Sequence, residues 1–186
     1  MSFEPDYAPA RCVRRPSLVA LMSIGKVDTV AWEVAENVVQ GTGDALLEGN
    51  YEAFASFFNL PFWVETTMGK IEIKSHDEHR EIFHRVQWQY RGMGVTHFRR
   101  ELLAAYFFDS GQILSVHTSE LLSGKSSVQD PFKVLTTLQK IDDTWLITDN
   151  RYAINNSVGL NRALYGPRPS EDELNGKGSG DLLPLK

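Results

Sequence analysis

The sequence predicts an α+β cone: three N-terminal helices packed into the concave face of a strongly curved, mixed and mainly antiparallel sheet. Two observations carry that expectation. The first half holds three segments whose apolar residues recur at helical spacing. Four consecutive strand-like segments follow, Val95–Phe108, Gln112–Leu122, Phe132–Ile141 and Thr144–Ile154, joined by short polar turns. Helices followed by a meander favour a layer of helices on one face of a sheet.

Residues 1–26 contain three prolines and no periodicity, and are expected to be a flexible N-terminal extension. Arg11, Arg14 and Arg15 before Leu18-Val19-Ala20-Leu21-Met22 imitate a targeting signal. The apolar run is short, however, and no small-x-small cleavage site follows. Met22 offers an alternative start of translation, with the preceding residues as an upstream extension. The folded domain is expected over 27–155, and the Gly/Ser/Asp-rich segment 156–186 reads as a flexible C-terminal tail.

Asp28 is placed to cap the first helix, whose apolar positions are Val30, Val34, Val38 and Leu46. Gly41 and Gly43 lower helix propensity by about 1 kcal/mol each, so a kink is expected there. Asn50 caps a short second helix through Tyr51, Phe54, Phe57 and Phe58, stopped by Pro61. Phe62–Thr66 and Lys70–Lys74 read as a hairpin turning at Met68-Gly69. Ser75-His76-Asp77-Glu78 is a capping box opening the third helix, with Ile82, Phe83, Val86 and Tyr90 on one face and Gly92-Met93-Gly94 at its end.

Within the meander, Asp109-Ser110-Gly111 predicts a three-residue loop with a left-handed glycine. That pairing sets Tyr106 opposite Leu114, Ala104 opposite Val116, Leu102 opposite Thr118 and Arg100 opposite Glu120. The even positions then share the inner face, and His97 and His117 fall on the outer one. If the faces were inverted, His117 would become the best general base. A two-residue turn at Asp142-Asp143 pairs Leu138 with Ile147 and Thr136 with Asp149, so that Trp145, Ile147, Asp149 and Arg151 share a face.

Composition narrows the function classes. The chain has 186 residues, 42% of them hydrophobic and 11% aromatic, enough for one sizeable core. A net charge of −5 argues against nucleic-acid binding. No apolar run reaches the ~18–20 residues that span a bilayer, so no membrane partner is expected. One cysteine, Cys12, allows no intrachain disulfide, and a reducing, cytoplasmic setting fits it. No cofactor motif is present. His76, His79 and His84 lack a cysteine or placed carboxylate to complete a metal site, so no metal is expected.

The segment Gly43–Phe54 between the first helices and the strand Asp142-Asp143-Thr144-Trp145-Leu146-Ile147 resemble the nuclear-transport-factor-2-like superfamily over about residues 28–154. The resemblance implies a cone with a pocket at its mouth. It spans SnoaL-like cyclases, ketosteroid isomerase, dehydratases, an epoxide hydrolase, small β-subunits of ring-hydroxylating dioxygenases and non-catalytic homodimeric modules, and so implies no single reaction.

Within that frame Asp149 is the candidate general base, its carboxyl raised by an apolar pocket. The competing reading is an ion pair with Arg151 or Arg100. Arg100, Glu120 and Tyr106 are candidate orienting or electrophilic groups, against a plain cross-strand salt bridge for the first two. Tyr51, Phe54, Phe83, Trp32 and His117 are candidate ligand contacts, against ordinary core packing. The expected function is binding of a small, mostly apolar molecule, with cofactor-free isomerase, dehydratase or cyclase chemistry as its enzymatic form and a homodimer as the expected assembly.

Overall fold

A computed structural model describes residues 28–154 and 158–165 of the chain. The expectations for 1–26, including the alternative start at Met22, and for 166–186 lie outside the described residues. Helix α1 (Thr29–Glu48) begins at Asp28, whose carboxylate accepts from Ala31 N, and ends at left-handed Gly49. It runs unbroken through both glycines. Gly41 leaves room for the Phe57 ring and Gly43 for the Arg100 side chain. Its buried stripe is narrower in bulk than the valines suggest: Ala31 and Ala35 are fully buried, whereas Val30 is 58% exposed.

Helix α2 (Tyr51–Ala55) is capped by Asn50 as expected, but it ends before Phe57. Pro61 lies inside strand β1 (Phe58–Thr66), which pairs with β2 (Gly69–Ile73) across a Thr67-Met68 turn. Helix α3 (His76–Gly92) has the Ser75 cap, while Glu78 accepts from Lys74 N rather than from the serine. The chain then runs through β3 (His97–Asp109), β4 (Gln112–Ser123), β5 (Ser126–Ser127), β6 (Phe132–Ile141) and β7 (Thr144–Ala153).

The seven strands of the described residues form one curved, unclosed mixed sheet in the order β2-β1-β7-β6-β4-β3, with β5 on β4. Only β1–β7 is parallel; the other described pairings are antiparallel. The expected α+β class and cone architecture are therefore present. A fourth helix, α4 (Val158–Tyr165), corrects the end of the fold placed at 155. Leu160, Ala163 and Leu164 are buried against α3 and the sheet, because they recur on one face of this last amphipathic turn.

Both meander registers hold near their turns and slip farther out. Tyr106–Leu114 and Ala104–Val116 pair as expected, then Leu103 is left unpaired, so that Arg99, not Arg100, faces Glu120. The turn is Ser110-Gly111, with Phe108 as the extra residue, and Gly111 is not left-handed. Leu138 pairs with Ile147, but Thr148 is then extra and Thr137, not Thr136, meets Asp149. A single inserted residue exchanges the two faces of everything beyond it.

Candidate functional site

These bulges decide which side chains enter the cone. On the inner face, Arg100, Ser119 and Phe132 form one row across β3, β4 and β6. Leu102, His117, Val134 and Tyr152 form the next, and Ser115, Thr136 and Asn150 the third. The odd positions of β4 thus face inward, the inverse of the expected assignment. Arg100 remains inside only because Leu103 absorbs the change of register.

Above these rows lies a cavity of about 60 Å³, walled by Phe54, Phe58, Phe62 and Phe83 on one side and closed by Leu160 and Leu164 of α4. Its polar lining comes from His79, Tyr90, Arg100, Asn150 and Tyr152. The partly buried Arg100 side chain donates through Nη1 to the Val39 carbonyl and to Thr42 Oγ1, each at 2.7 Å. Its guanidinium stacks 4.2 Å from the Phe98 ring. Its Nε is sealed from solvent without a hydrogen-bond partner. Burial lowers the Arg100 pKa, and the nearby Tyr152, Tyr90 and Asp44 counter that effect.

Tyr90 and Tyr152 keep their protons. Burial raises both above the ordinary tyrosine range, with Arg100 opposing it in each; for Tyr152 a hydrogen bond from Asn150 opposes it further. Asn150 Oδ1 in turn accepts from Thr136 Oγ1 at 2.8 Å.

His79 projects from α3 into a cage of aromatic rings, with centroids at 4.7 Å (Phe58), 5.1 Å (Phe62), 5.4 Å (Phe54) and 5.6 Å (Tyr51). Both ring nitrogens are buried and lack a described partner. Burial, helped by His76, pushes its pKa down to about 4, so the ring is neutral at pH 7. The sequence carried a signal for it: His79 lies one turn before Phe83 on the same apolar face as Val86 and Tyr90.

Of the expected site residues, the structure brings Arg100, Phe54 and Phe83 to the cavity. His117 is on the inner face beside Arg100, buried and pushed down to about 3 by desolvation first and by the guanidinium second, but it does not line the cavity. Its neighbours Ser115 and Ser119 are likewise buried without partners for their hydroxyls.

The others are elsewhere. Asp149 is on the opposite face, where its carboxylate accepts from Arg151 Nε at 3.1 Å and lies 3.8 Å from Lys70 Nζ. The Thr148 bulge puts Asn150 and Tyr152 inside in its place. Glu120 is also on the outer face and accepts from Arg99 Nε at 2.8 Å. Tyr106 packs outside with Leu114, Val116 and Leu135. Tyr51 donates its hydroxyl to the His76 carbonyl at 2.9 Å and meets His79 and Phe83 in T-shaped ring contacts, but it does not line the cavity. Trp32 packs against a separate buried cluster that includes Ala35, Val38 and Ile147, and does not line the cavity. Among the described residues no three His, Cys, Asp or Glu side chains come together as a metal-ligand set, and no helix is long and apolar enough to cross a membrane.

No family model matches the chain, and no curated protein matches it either. Solved structures do. A domain of unknown function with a cystatin-like fold from Nostoc punctiforme is similar at 18% identity and a TM-score of 0.56, covering 70% of this chain and 80% of that one. An NTF2-like protein of unknown function from Shewanella oneidensis is similar at 15% identity and a TM-score of 0.53, covering 66% and 98%. A candidate dehydratase of the NTF2-like family from Streptomyces avermitilis is similar at 10% identity and a TM-score of 0.52, covering 69% and 98%. The chain has the nuclear-transport-factor-2-like, cystatin-like fold.

Proposed function

We propose that this protein binds a small, mostly apolar molecule inside the cone. The observation that carries the reading is the cavity itself, an apolar aromatic wall with a few convergent polar groups, His79, Arg100, Asn150 and Tyr152. At about 60 Å³ the space is well below the ~300–1,000 Å³ usual for drug-sized ligands, so the ligand is compact. The test is native mass spectrometry of the protein purified from its own host. The reading expects a bound small molecule that is lost on denaturation. A ligand-free mass at full folding counts against it.

A second reading, cofactor-free acid–base chemistry, is favoured by His79. Its neutral ring at the cavity wall has no described hydrogen-bond partner, so the unprotonated one of its two nitrogens can accept a proton from a bound carbon acid, and Arg100 with Tyr152 can stabilise the oxyanion formed. Fold-level kinship to a candidate dehydratase is compatible with this chemistry but does not select it. The reading expects His79-dependent exchange of a ligand C–H for deuterium in D2O, followed by NMR. Exchange that persists in His79→Phe would contradict it. A cytoplasmic location fits the single cysteine and belongs to the same proposal.

A further inference from the structure

Resting on that reading of the cavity, we propose that its ligand is a short-chain monocarboxylate, with the carboxylate held by Arg100 and the hydrocarbon body by the aromatic wall. Arg100 differs from its paired neighbours. Arg99 is bonded to Glu120, Arg80 to Glu52 and Arg151 to Glu65 and Asp149. Arg100 has no carboxylate within ion-pair distance among the described residues; Asp44, the acid whose field it feels, is exposed. Its Nη1 is satisfied by a neutral carbonyl and a neutral hydroxyl. The edge formed by Nε and Nη2 has no described partner. That is the edge Arg99 presents to Glu120 Oε2 one residue earlier. In general its two parallel N–H groups can also meet both oxygens of a carboxylate.

A guanidinium whose Nε is sealed from water without a counter-charge is costly, and an anion entering the cavity would supply one. Tyr90 and Tyr152 stay protonated there, so their hydroxyls can donate to it. The remaining lining argues against an inorganic anion. Phosphate or chloride would exchange its hydration shell for phenylalanine and leucine side chains, whereas the body of a carboxylic acid gains by the same contact. The small volume restricts that body to a short or branched chain.

The test is isothermal titration with isobutyrate and with its neutral isostere isobutyramide, at matched ionic strength. Wild-type protein is expected to bind isobutyrate at least tenfold more tightly than the amide. Arg100→Gln is expected to bring the two within twofold. Because Arg100 also ties β3 to α1, Arg100→Lys serves as a second variant: it keeps the charge, lacks the planar edge, and is expected to lose most of the preference. Equal affinity of both probes for the wild-type protein overturns the carboxylate assignment and leaves the cavity reading standing. Binding of neither probe overturns both. Displacement of isobutyrate by inorganic phosphate at equal concentration also overturns the assignment.

Discussion

Arg100 passes beneath helix α1 at Gly43, where a methyl group would stand 3.3 Å from its Cδ. The glycine therefore marks a crossing point between helix and sheet, and the guanidinium that crosses there reaches both the helix backbone and the cavity. Gly43→Ala gains about 1 kcal/mol of helix propensity and loses a comparable amount in crowding, so stability in urea is expected to stay within about 1 kcal/mol of wild type. Gly43→Val has no room beside the side chain and is expected to lose about 1–3 kcal/mol. Equal stability of the two variants would show that Arg100 does not pass there.

Gly41 makes a sharper case. Its added Cβ would meet Phe57 Cζ at 2.3 Å, closer than any side-chain contact. Gly41→Ala is expected to cost about 1–3 kcal/mol despite the better helix former. A smaller residue opposite, in Gly41→Ala/Phe57→Leu, should recover part of it, giving a favourable coupling in a double-mutant cycle. Simple additivity would contradict the contact.

Acid stability follows from the two buried histidines. His79 at about 4 and His117 at about 3 both lie below the ordinary 6.5, so the unfolded chain takes up their protons first as pH falls. Their contribution is fully present above about pH 6.5 and is lost as the pH falls towards 4 for His79 and 3 for His117. The loss amounts to up to about 3 kcal/mol for His79 on the linkage scale. His79→Phe and His117→Leu should each flatten the fall of unfolding free energy with pH, measured against wild type. Parallel curves for wild type and variants would contradict the burial of the neutral rings.

Asp149 tests the assignment of faces. Removing its charge leaves Lys70 without this partner and Arg151 with Glu65 alone, both cations being partly exposed, and Asp149→Ala is expected to destabilise by about 1 kcal/mol. Isobutyrate affinity of the folded variant should stay within twofold of wild type. A tenfold loss of affinity without a change in stability would place the carboxylate at the ligand after all.

Helix α4 closes the cavity. Leu164→Ala removes a buried side chain from its wall and is expected to cost about 2–5 kcal/mol, while enlarging the space enough to accept a longer acid such as hexanoate. Unchanged stability would mean that α4 does not pack there.

Much of this fold is legible because its signals are local. Asp28, Asn50 and Ser75 each satisfy free N–H groups of the turn they precede, and Asp142 and Asp143 take positive φ values, 46° and 64°, in the last hairpin. Pairings adjacent to the turns are set by the same short-range geometry. The candidate site is less legible, since it depends on bulges at Leu103 and Thr148 whose position is fixed by packing across the sheet. The apolar run Leu102-Leu103-Ala104-Ala105 breaks strict alternation and is the one trace of the first bulge in the sequence. The polar run Thr148-Asp149-Asn150 gives no sign of which residue turns inward. Helix α4 was hidden by the Gly- and Pro-rich sequence around it, and His79 by its charge-rich helix, although its spacing from Phe83 places it on the buried face.

The most direct measurement is an NMR titration of the arginine Nε–H resonances with isobutyrate, Arg100 being assigned by the peak lost in Arg100→Lys. A saturable downfield shift of the Arg100 resonance is expected, with Arg99 and Arg151 unmoved and isobutyramide without effect. An Arg100 resonance that stays in place while isobutyrate binds elsewhere would contradict the carboxylate assignment.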